Sequence, residues 1–331
     1  MAETTKIEWC DATFNPWIGC SKCSPGCDNC YAERMFRRGL FGKFEWGNGQ
    51  RARTSEENWK HPIRWNRKCE RNRTRMSVFA GSLCDIGDTD SDYVWFFDFM
   101  CLIVKTPYLD WLLLTKRPES LKNRINYFYK EYWGTRNNII PNLWVGVTVC
   151  NQEEAKKVWT LLDIPAIGRF VSVEPMLGPV DLNKLDLLCA TWIRGGATIG
   201  RYLDWVICGG ETGPNARPMH PDWVRNLRNQ CQGEYAQTPF FFKGWGEWSP
   251  SAPLKNGVYD LDSASIVSVD GTVFDPSSLT YPDGKRRMEA YNIRPFNGTS
   301  MYRVGKKVAG CELEFGSAFQ KEYKEFPKQL Q

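Results

Sequence analysis

Four cysteines lie within eleven residues near the N-terminus, and their spacing could hold a metal centre. They are Cys20, Cys23, Cys27 and Cys30, in a turn rich in Gly, Pro and Ser that leads into a helix-like stretch from Tyr31. Thiolates spaced in this way can converge on one metal ion or one cluster. Because cysteines that serve only for packing are scattered along a chain, this concentration predicts a metal site.

Three interpretations of the cysteines compete. Disulfide bonds are disfavoured, because the chain begins without an apolar leader and its thirteen cysteines, an odd number, indicate a reducing compartment. A structural zinc site normally has about 12–20 residues between two CxxC pairs, whereas three residues separate the pairs here. So short a gap favours an iron–sulfur cluster. Within the run, Cys23-x3-Cys27-x2-Cys30 is the common spacing of radical S-adenosylmethionine (SAM) enzymes, in which one iron of a [4Fe-4S] cluster stays open for a ligand.

The composition is that of a globular protein. The chain has 331 residues, of which 42% are hydrophobic and 24% charged, enough for one barrel-sized domain or for two domains. The sequence contains no apolar run long enough to cross a membrane. We therefore expect a cytoplasmic protein without membrane contact.

Basic residues concentrate in one segment, although the net charge is only +5. Between residues 60 and 75 there are seven basic side chains and one acid, Glu70. Pro62 could begin a helix there. Five of the basic residues would then share one face, either as an ordinary solvated surface or as a contact for nucleic-acid phosphates. These candidates are Arg64, Arg67, Lys68, Arg71 and Arg75. A few of the fifteen tryptophans could stack on bases.

Short apolar runs recur along the chain at intervals of roughly 25–35 residues, as expected for one strand and one crossover helix per unit. The predicted strands are residues 13–18, 77–81, 110–114, 143–148, 169–173, 204–208 and 239–243. Helical patterns lie between them, for example at 153–162 and 222–230. The pattern predicts an α/β fold with a parallel sheet, a partial or full (β/α) barrel, with a doubly wound open sheet as the alternative.

Polar residues and glycines follow the predicted strands at their carboxyl ends, where parallel α/β proteins place their chemistry. The candidates for ligand binding are Ser82, Asp85, Thr115, Lys116, Glu174, Gly209, Gly210 and Glu211. The cysteine loop would follow the first strand and join the same rim. We expect residues 1–248 to form the barrel. Residues 249–331, in which Asn-Gly and Asp-Gly pairs separate short β-like runs, should form a cap rich in β-hairpins.

Several long strings resemble the phage-associated three-cysteine-motif family, distant relatives of the radical SAM enzymes. They are KIEWCDATFNPWIGC (6–20), SPGCDNCYAERM (24–35), LLLTKRP (112–118), VSVEPMLGP (171–179), GGETGPNARPMH (209–220), FFFKGWGEW (240–248) and RVGKKVAG (303–310). The resemblance covers most of the chain and is weakest across about 250–300. It implies that the metal ligands are Cys20, Cys27 and Cys30, with Cys23 as the alternative to Cys20.

The resemblance also implies cofactors, partners and roles. The open iron of a [4Fe-4S] cluster would bind SAM, whose reductive cleavage yields a radical that removes hydrogen from a substrate. Ser82 and Asp85 would hold the methionine ammonium or the ribose, Glu174 and Glu211 a hydroxyl or amine, and Lys116 a carboxylate. Arg217 or His220 would take a phosphate or another substrate group. The expected partners are an electron donor of flavodoxin or ferredoxin type, a nucleic acid and a family partner protein, in the host cytoplasm if a phage encodes the chain.

The substrate is expected to be a nucleic-acid or nucleotide base, as in phage DNA hypermodification, and a peptide or small molecule is the alternative. Two further classes stay open. The chain could be a zinc-stabilised nucleic-acid-binding protein without catalysis, or a scaffold that keeps the fold and has lost activity.

Overall fold

Seven parallel strands form the central sheet, and they follow one another across it in chain order. They are β1 (Ala12–Phe14), β2 (Met76–Ala80), β3 (Leu109–Thr115), β4 (Leu143–Thr148), β5 (Gly168–Val173), β6 (Trp205–Gly209) and β7 (Phe240–Gly244). The sheet curls into a half barrel. The predicted parallel α/β sheet is therefore confirmed, and the six strands after the first lie within one residue of their predicted positions.

The computed structural model describes most of the chain. The described residues are 5–39, 46–47, 49–133, 139–183, 190–194, 197–201, 203–233, 237–250, 254–255, 258–259, 264–274, 299–309, 311, 313 and 323–331. Within them the α-helices are α1 (Tyr31–Arg37), α2 (Glu56–Asn72), α3 (Tyr93–Lys105), α4 (Pro118–Phe128), α5 (Lys157–Leu162), α6 (Pro221–Cys231) and α7 (Lys306–Ala309). A π-helical turn, Tyr129–Trp133, extends α4, and 3-10 turns occur at Pro25–Cys27, Glu154–Lys156 and Lys328–Leu330.

The strands are apolar on both faces because each face is covered. Side chains alternate along a strand, so that Val145 and Val147 of β4 point outward into the core beneath the helices, as Val171 of β5 does. The inward-facing residues form a second cluster inside the half barrel. Its members come from six of the strands and from the N-terminal segment: Trp9, Cys10, Phe79, Leu112, Trp144, Phe170, Trp205, Ile207 and Phe241.

Two glycines make room for the largest rings of this inner cluster. Trp144 pairs with Gly168 across β4 and β5, and Gly146 pairs with Phe170. A Cβ atom on Gly168 would lie 2.2 Å from the Trp144 ring, and one on Gly146 would lie 2.3 Å from the Phe170 ring. Each ring therefore occupies the space above a glycine of the neighbouring strand, and together they fill the bottom of the barrel.

The C-terminal segment covers the edge of the sheet at β7. Phe242 N donates to Tyr323 O (2.7 Å) and Glu325 N donates to Phe240 O (3.2 Å), so the segment pairs with β7 in antiparallel fashion. Phe326 packs against Trp205, and Lys324 forms an ion pair with Glu8. The N- and C-terminal segments thus meet at the bottom of the half barrel.

A second, antiparallel sheet contains four strands: Trp248–Ser249, Thr299–Arg303, Ala264–Val267 and Val273–Phe274. Its Val267 and Met301 belong to the same core cluster as the outer face of the main sheet. Two predicted hairpins occur, one joining Leu254–Lys255 to Val258–Tyr259 and one with Asp270 and Gly271 at its turn. The predicted turns at 283–284 and 297–298 lie outside the described residues. A further hairpin, Ala190–Arg194 with Ala197–Arg201, was not predicted.

Helix α2 begins earlier than the sequence suggested. We predicted a start at Pro62, but the helix begins at Glu56, and Pro62 lies buried within it. The Ser55 hydroxyl accepts a hydrogen bond from Asn58 N, and Glu56 and Glu57 occupy the first turn, where acidic residues are favoured. This start signal is stronger than that of the proline. The helix ends at Asn72, so Arg75 is not on it.

Among the described residues, none of the helices has both the length and the apolar character that crossing a membrane requires.

The pairing of rings with glycines can be tested by adding a methyl group. Gly146→Ala should lower the free energy of unfolding by on the order of 1–3 kcal/mol, since the Phe170 ring must move out of a well-packed position. Chemical denaturation measures the loss. Gly178→Ala is the matched control, because its Cβ would meet only the Cβ of Asn151, at an ordinary 3.4 Å. Adding Phe170→Leu to Gly146→Ala should recover part of the lost stability. An equal loss of stability in Gly146→Ala and Gly178→Ala would contradict the assignment.

Candidate functional site

A cavity of about 370 Å³ opens at the carboxyl ends of the strands. The structure brings most of the predicted site residues to its wall: Cys20, Cys27, Cys30, Ser82, Asp85, Thr115, Lys116, Glu174, Gly210 and Glu211. Gly209 and Cys23 are not part of the wall, and Cys23 is exposed. The volume is within the range of about 300–1,000 Å³ typical of small-molecule sites.

The cysteine loop is held by its own side chains and by the 3-10 turn Glu154–Lys156 that follows β4. Ser24 begins the turn Pro25–Cys27, and its hydroxyl accepts a hydrogen bond from Gly26 N (3.2 Å). The same hydroxyl donates to Glu154 Oε2 (2.8 Å). Helix α1 begins directly after Cys30. The loop therefore turns tightly enough for Cys27 and Cys30 to reach one cavity.

Asp85 connects the loop after β2 to the end of β3. Its Oδ1 accepts hydrogen bonds from Gly87 N (2.9 Å) and the Thr115 hydroxyl, and its Oδ2 accepts from Lys116 N (3.1 Å) and Arg117 Nη1 (2.8 Å). A carboxylate has about four acceptor positions, so Asp85 uses all of them within the protein. This favours a positioning role over the predicted contact with a cofactor.

Two arginines hold Cys20 and the neighbouring Ser21 in place. Arg117 Nη2 donates to Ser21 O (2.7 Å), and its Nη1 lies 3.7 Å from Cys20 Sγ. Arg51 donates to the Ser21 hydroxyl (3.2 Å) and forms an ion pair with Asp88 in which both side chains are almost fully buried. A buried charge pair keeps its geometry because separation would leave charges without water. Cys20 is thereby held at the cavity.

Glu211 holds the other end of the loop. Its Oε2 accepts from Asn29 Nδ2 (2.9 Å) and from Arg217 N and Nε (2.8 and 2.9 Å), and its Oε1 accepts from Arg217 Nη2 (2.6 Å). Arg217 also donates to Pro25 O (3.0 Å) and Asp28 Oδ2 (3.2 Å). Glu211 and Arg217 thus tie the loop after β6 to the cysteine loop. Their hydrogen bonds are internal, which differs from the ligand contacts predicted for them.

The cysteines lie in unequal electrostatic surroundings. Burial and then the charge of Asp85 raise the pKa of Cys20 to about 12, against the effect of Arg117. A hydrogen bond with the Cys23 side chain, followed by the charge of Lys116, lowers the pKa of Cys27 although burial opposes it. Burial would lower the pKa of Lys116, but Cys27 and Asp85 raise it. Two cations, Lys116 and Arg117, therefore face the thiols.

Cysteine thiolates are the ligands that iron–sulfur clusters use. Among the described residues, no three His, Cys, Asp or Glu side chains lie close enough together to hold a metal ion. Cys20, Cys27 and Cys30 line one cavity, and Lys116 and Arg117 can offset the negative charge of thiolates.

The upper wall contains a charged pair that is open to a ligand. Glu174, at the end of β5, forms an ion pair with Lys243 of β7, and both line the cavity. Ser82 Oγ accepts a hydrogen bond from Asn15 Nδ2 (2.8 Å), which leaves its own hydrogen available to a ligand. Gly210, a predicted ligand-binding residue, is required by the protein's own backbone, because a Cβ there would lie 2.1 Å from the Trp245 carbonyl oxygen.

The basic residues of α2 are separate from the cavity. Arg64, Arg67, Lys68 and Arg71 are exposed on α2, and none of them lines the cavity. Arg64 pairs with Glu57 of the same helix. Arg75 pairs with Asp110 of β3 through two hydrogen bonds (2.8 and 2.6 Å). His220, named above as a candidate for a substrate group, caps α6 by accepting from Asp222 N (3.1 Å).

Some residues of the cavity were not predicted as site residues. Lys243 lies on the inner face of β7, and the alternation of side chains along that strand could have indicated it. Thr148, the last residue of β4, is one of the polar residues expected at the carboxyl ends of the strands, but no ligand role was predicted for it. Cys84 and Trp9 gave no signal of this kind, because Cys84 stands alone in the loop after β2 and Trp9 precedes the first strand.

A family model described as a protein of unknown function, DUF5131, matches residues 4–326. The chain belongs to the DUF5131 family. The match covers the cysteine loop, every strand of the half barrel and the segment that pairs with β7. No curated protein and no solved structure matches the chain significantly.

Removal of the Glu211 carboxylate should loosen the cysteine loop of this DUF5131 protein. Glu211→Ala should lower the free energy of unfolding by about 1–3 kcal/mol, since it leaves the donors of Arg217 and Asn29 without their acceptor. Limited proteolysis should then cut the chain sooner between residues 20 and 30. Glu153→Ala, at an exposed site, is the control and should leave both measurements unchanged.

The same carboxylate should give a pH dependence. Burial acts to raise the pKa of Glu211, but hydrogen bonds from Arg217 and Asn29 lower it below its usual value. The stability it contributes is therefore present above the unfolded-state pKa and is lost as the pH falls through the folded-state pKa. The difference in stability between the wild type and Glu211→Gln should narrow in acid. A constant difference between neutral and acid pH would contradict the role of the charge.

Proposed function

We propose that this chain is a radical SAM enzyme whose [4Fe-4S] cluster is held by Cys20, Cys27 and Cys30. The observation that carries the proposal is that these three thiols, and not that of Cys23, line the cavity at the carboxyl ends of the strands. Parallel α/β barrels place their chemistry at that end. The resemblance of the sequence to the three-cysteine-motif family supports the same function.

The residues around the cavity have separable roles. Asp85, Arg117, Glu211 and Arg217 position the cysteine loop through internal hydrogen bonds. Ser82, Glu174 and Lys116 remain to contact the amino acid part or the ribose of SAM. When bound, the cluster supplies the electron that cleaves SAM and so starts the removal of hydrogen from a substrate. An electron donor of flavodoxin or ferredoxin type would deliver that electron.

The proposed substrate is a nucleic-acid or nucleotide base. Support comes from the exposed basic face of α2, formed by Arg64, Arg67, Lys68 and Arg71, and from the phage association of the resembling family. A radical can act on a carbon that has no acidic proton, and a base inside a duplex would have to be flipped out to reach the cavity. A peptide or small molecule is the alternative substrate.

The cysteine assignment can be tested by anaerobic reconstitution with iron and sulfide. Cys20→Ala, Cys27→Ala and Cys30→Ala should each abolish the cluster, because each removes a thiol from the cavity wall. Cys23→Ala is the matched control and should retain most of the iron. Iron and sulfide content and the broad visible absorption of the cluster are the measurements, with circular dichroism to show that each variant is folded.

Three results would change the assignment. Loss of the cluster in Cys23→Ala but not in Cys20→Ala would make Cys23 the first ligand. A colourless protein that holds one zinc ion would favour the zinc-stabilised binding protein. A complete cluster that never cleaves SAM under strong reductant would point to a scaffold without activity.

Binding of duplex DNA, measured against salt concentration, tests the proposed substrate class. Phosphate contacts predict a negative log–log slope that becomes shallower by about one for each of Arg64→Ala, Arg67→Ala and Arg71→Ala. Lys130→Ala, at an exposed lysine of the π-helical turn, is the control and should leave the slope unchanged. Failure to bind at low salt would favour a peptide or small-molecule substrate.

A further inference from the structure

Two buried polar atoms beside the cavity have no hydrogen-bond partner among the described residues. They are Trp9 Nε1, a donor, and Thr148 Oγ1, a hydroxyl that can donate or accept. Both residues line the cavity, and they are only 3% and 1% exposed. A buried polar group without a partner costs about 1–3 kcal/mol, so a pair of them at one cavity requires an explanation.

Trp9 belongs to the aromatic cluster that forms the floor, and Thr148, the last residue of β4, lies between that floor and the charged rim. Thr148 pairs with Ser172 across β4 and β5, and both side chains point inward. Glu174, the next inward residue of β5, is at the rim. Phe170, the inward residue below Ser172, has its ring centroid 6.2 Å from that of Trp9. The Trp9 ring also packs 4.6 Å from Phe79.

The surroundings select a neutral ligand with a polar edge. The wall near Trp9 is formed by Phe79, Leu114 and Ile7, which carry no charge. Two charged groups of the inner face, Glu174 and Lys243, form an ion pair with each other, and two others in the cavity wall, Lys116 and Asp85, face the thiols and Arg117. A ligand group at this depth must therefore be uncharged, must pack against aromatic and aliphatic side chains, and must offer an acceptor to the indole N–H.

We propose that the bottom of the cavity is a nucleobase subsite, in which Trp9 Nε1 donates to an acceptor on the base edge and the Thr148 hydroxyl forms a second hydrogen bond. A nucleobase combines an apolar face with a hydrogen-bonding edge. Two sources supply this chemistry, the adenine of SAM and the base of a nucleoside substrate. The inference deepens the proposed function and rests on it for the presence of a reaction at the cysteine end of the same cavity.

Conservative variants separate this role from a structural one. Trp9→Phe removes the N–H but keeps a ring, and Thr148→Val removes the hydroxyl at nearly constant shape. Each should weaken binding of the ligand by about two- to tenfold, the value of one neutral hydrogen bond. Thr148→Val should leave the unfolding midpoint of the free protein unchanged or raised, because a hydroxyl without a partner is removed. Trp9→Phe also loses the packing of the larger ring, so it should lower the midpoint, but by less than the same exchange at a tryptophan whose N–H has a partner.

Two partnered residues provide matched controls. The Thr106 hydroxyl donates to Leu102 O (2.7 Å), and Trp223 Nε1 donates to Val269 O (2.7 Å). Thr106→Val and Trp223→Phe should lower the unfolding midpoint and leave ligand affinity unchanged. An affinity lost without a loss of stability at Thr148, and a smaller loss of stability at Trp9 than at Trp223, are the signature of a ligand subsite.

The probes are SAM, adenosine, guanosine, cytidine and thymidine, with titration calorimetry as the measurement. A loss of affinity for SAM and adenosine alone assigns the subsite to the cofactor's adenine, and a loss for another nucleoside assigns it to a substrate base. The inference is overturned if no probe binds, if Trp9→Phe and Thr148→Val bind as the wild type does, which would leave ordered water as the partner, or if they destabilise the protein as the controls do.

Measurement before and after reconstitution keeps the two proposals apart. If the protein binds a nucleoside but never assembles a cluster, the proposed function is contradicted and the nucleobase subsite is supported. If the protein assembles the cluster but binds none of the five probes, the nucleobase subsite is contradicted and the cysteine assignment is supported.

Discussion

The inward faces of the strands have to satisfy two opposite demands. A half barrel must exclude water from its lower part to be stable, yet it must keep its upper part open if it is to hold a ligand. The packing of large rings against glycines meets the first demand, since Trp144 of β4 and Phe170 of β5 each lie above a glycine of the other strand. Above that level the inward residues become small or polar, such as Thr148 and Ser172. The cavity begins where the large rings end.

The cysteine loop depends on carboxylates rather than on its own packing. Asp85 and Glu211 approach it from the loops after β2 and β6, and each accepts hydrogen bonds from donors that also contact the loop or the rim beside it. Arg117, bound to Asp85, contacts Cys20, and Arg217, bound to Glu211, contacts the turn Pro25–Cys27. A loop held at both ends by charge-assisted hydrogen bonds can present several thiols without a continuous hydrophobic core beneath them.

The sequence predicts the strands well and the roles of the rim residues poorly, for physical reasons. Strands buried on both faces have apolar runs that little else in a chain imitates, so β4 was predicted to the residue. The position of Asp85 at the rim follows from strand polarity. The direction of its oxygens does not, because that direction depends on Arg117, a residue on another loop. Trp9 enters the barrel from a segment without periodicity, and only the tertiary structure shows that it does so.

The pairing of residues 323–326 with β7 has a consequence for synthesis on the ribosome. All seven strands of the sheet leave the ribosome before this segment does. Until then β7 has an unpaired edge, and Trp205 lacks the carbonyl of Glu325 to which its indole N–H donates. A sheet with an open edge is prone to pair with other chains. During translation this protein therefore passes through an interval, spanning the synthesis of about eighty residues after β7, in which the half barrel is vulnerable to aggregation and to chaperone capture.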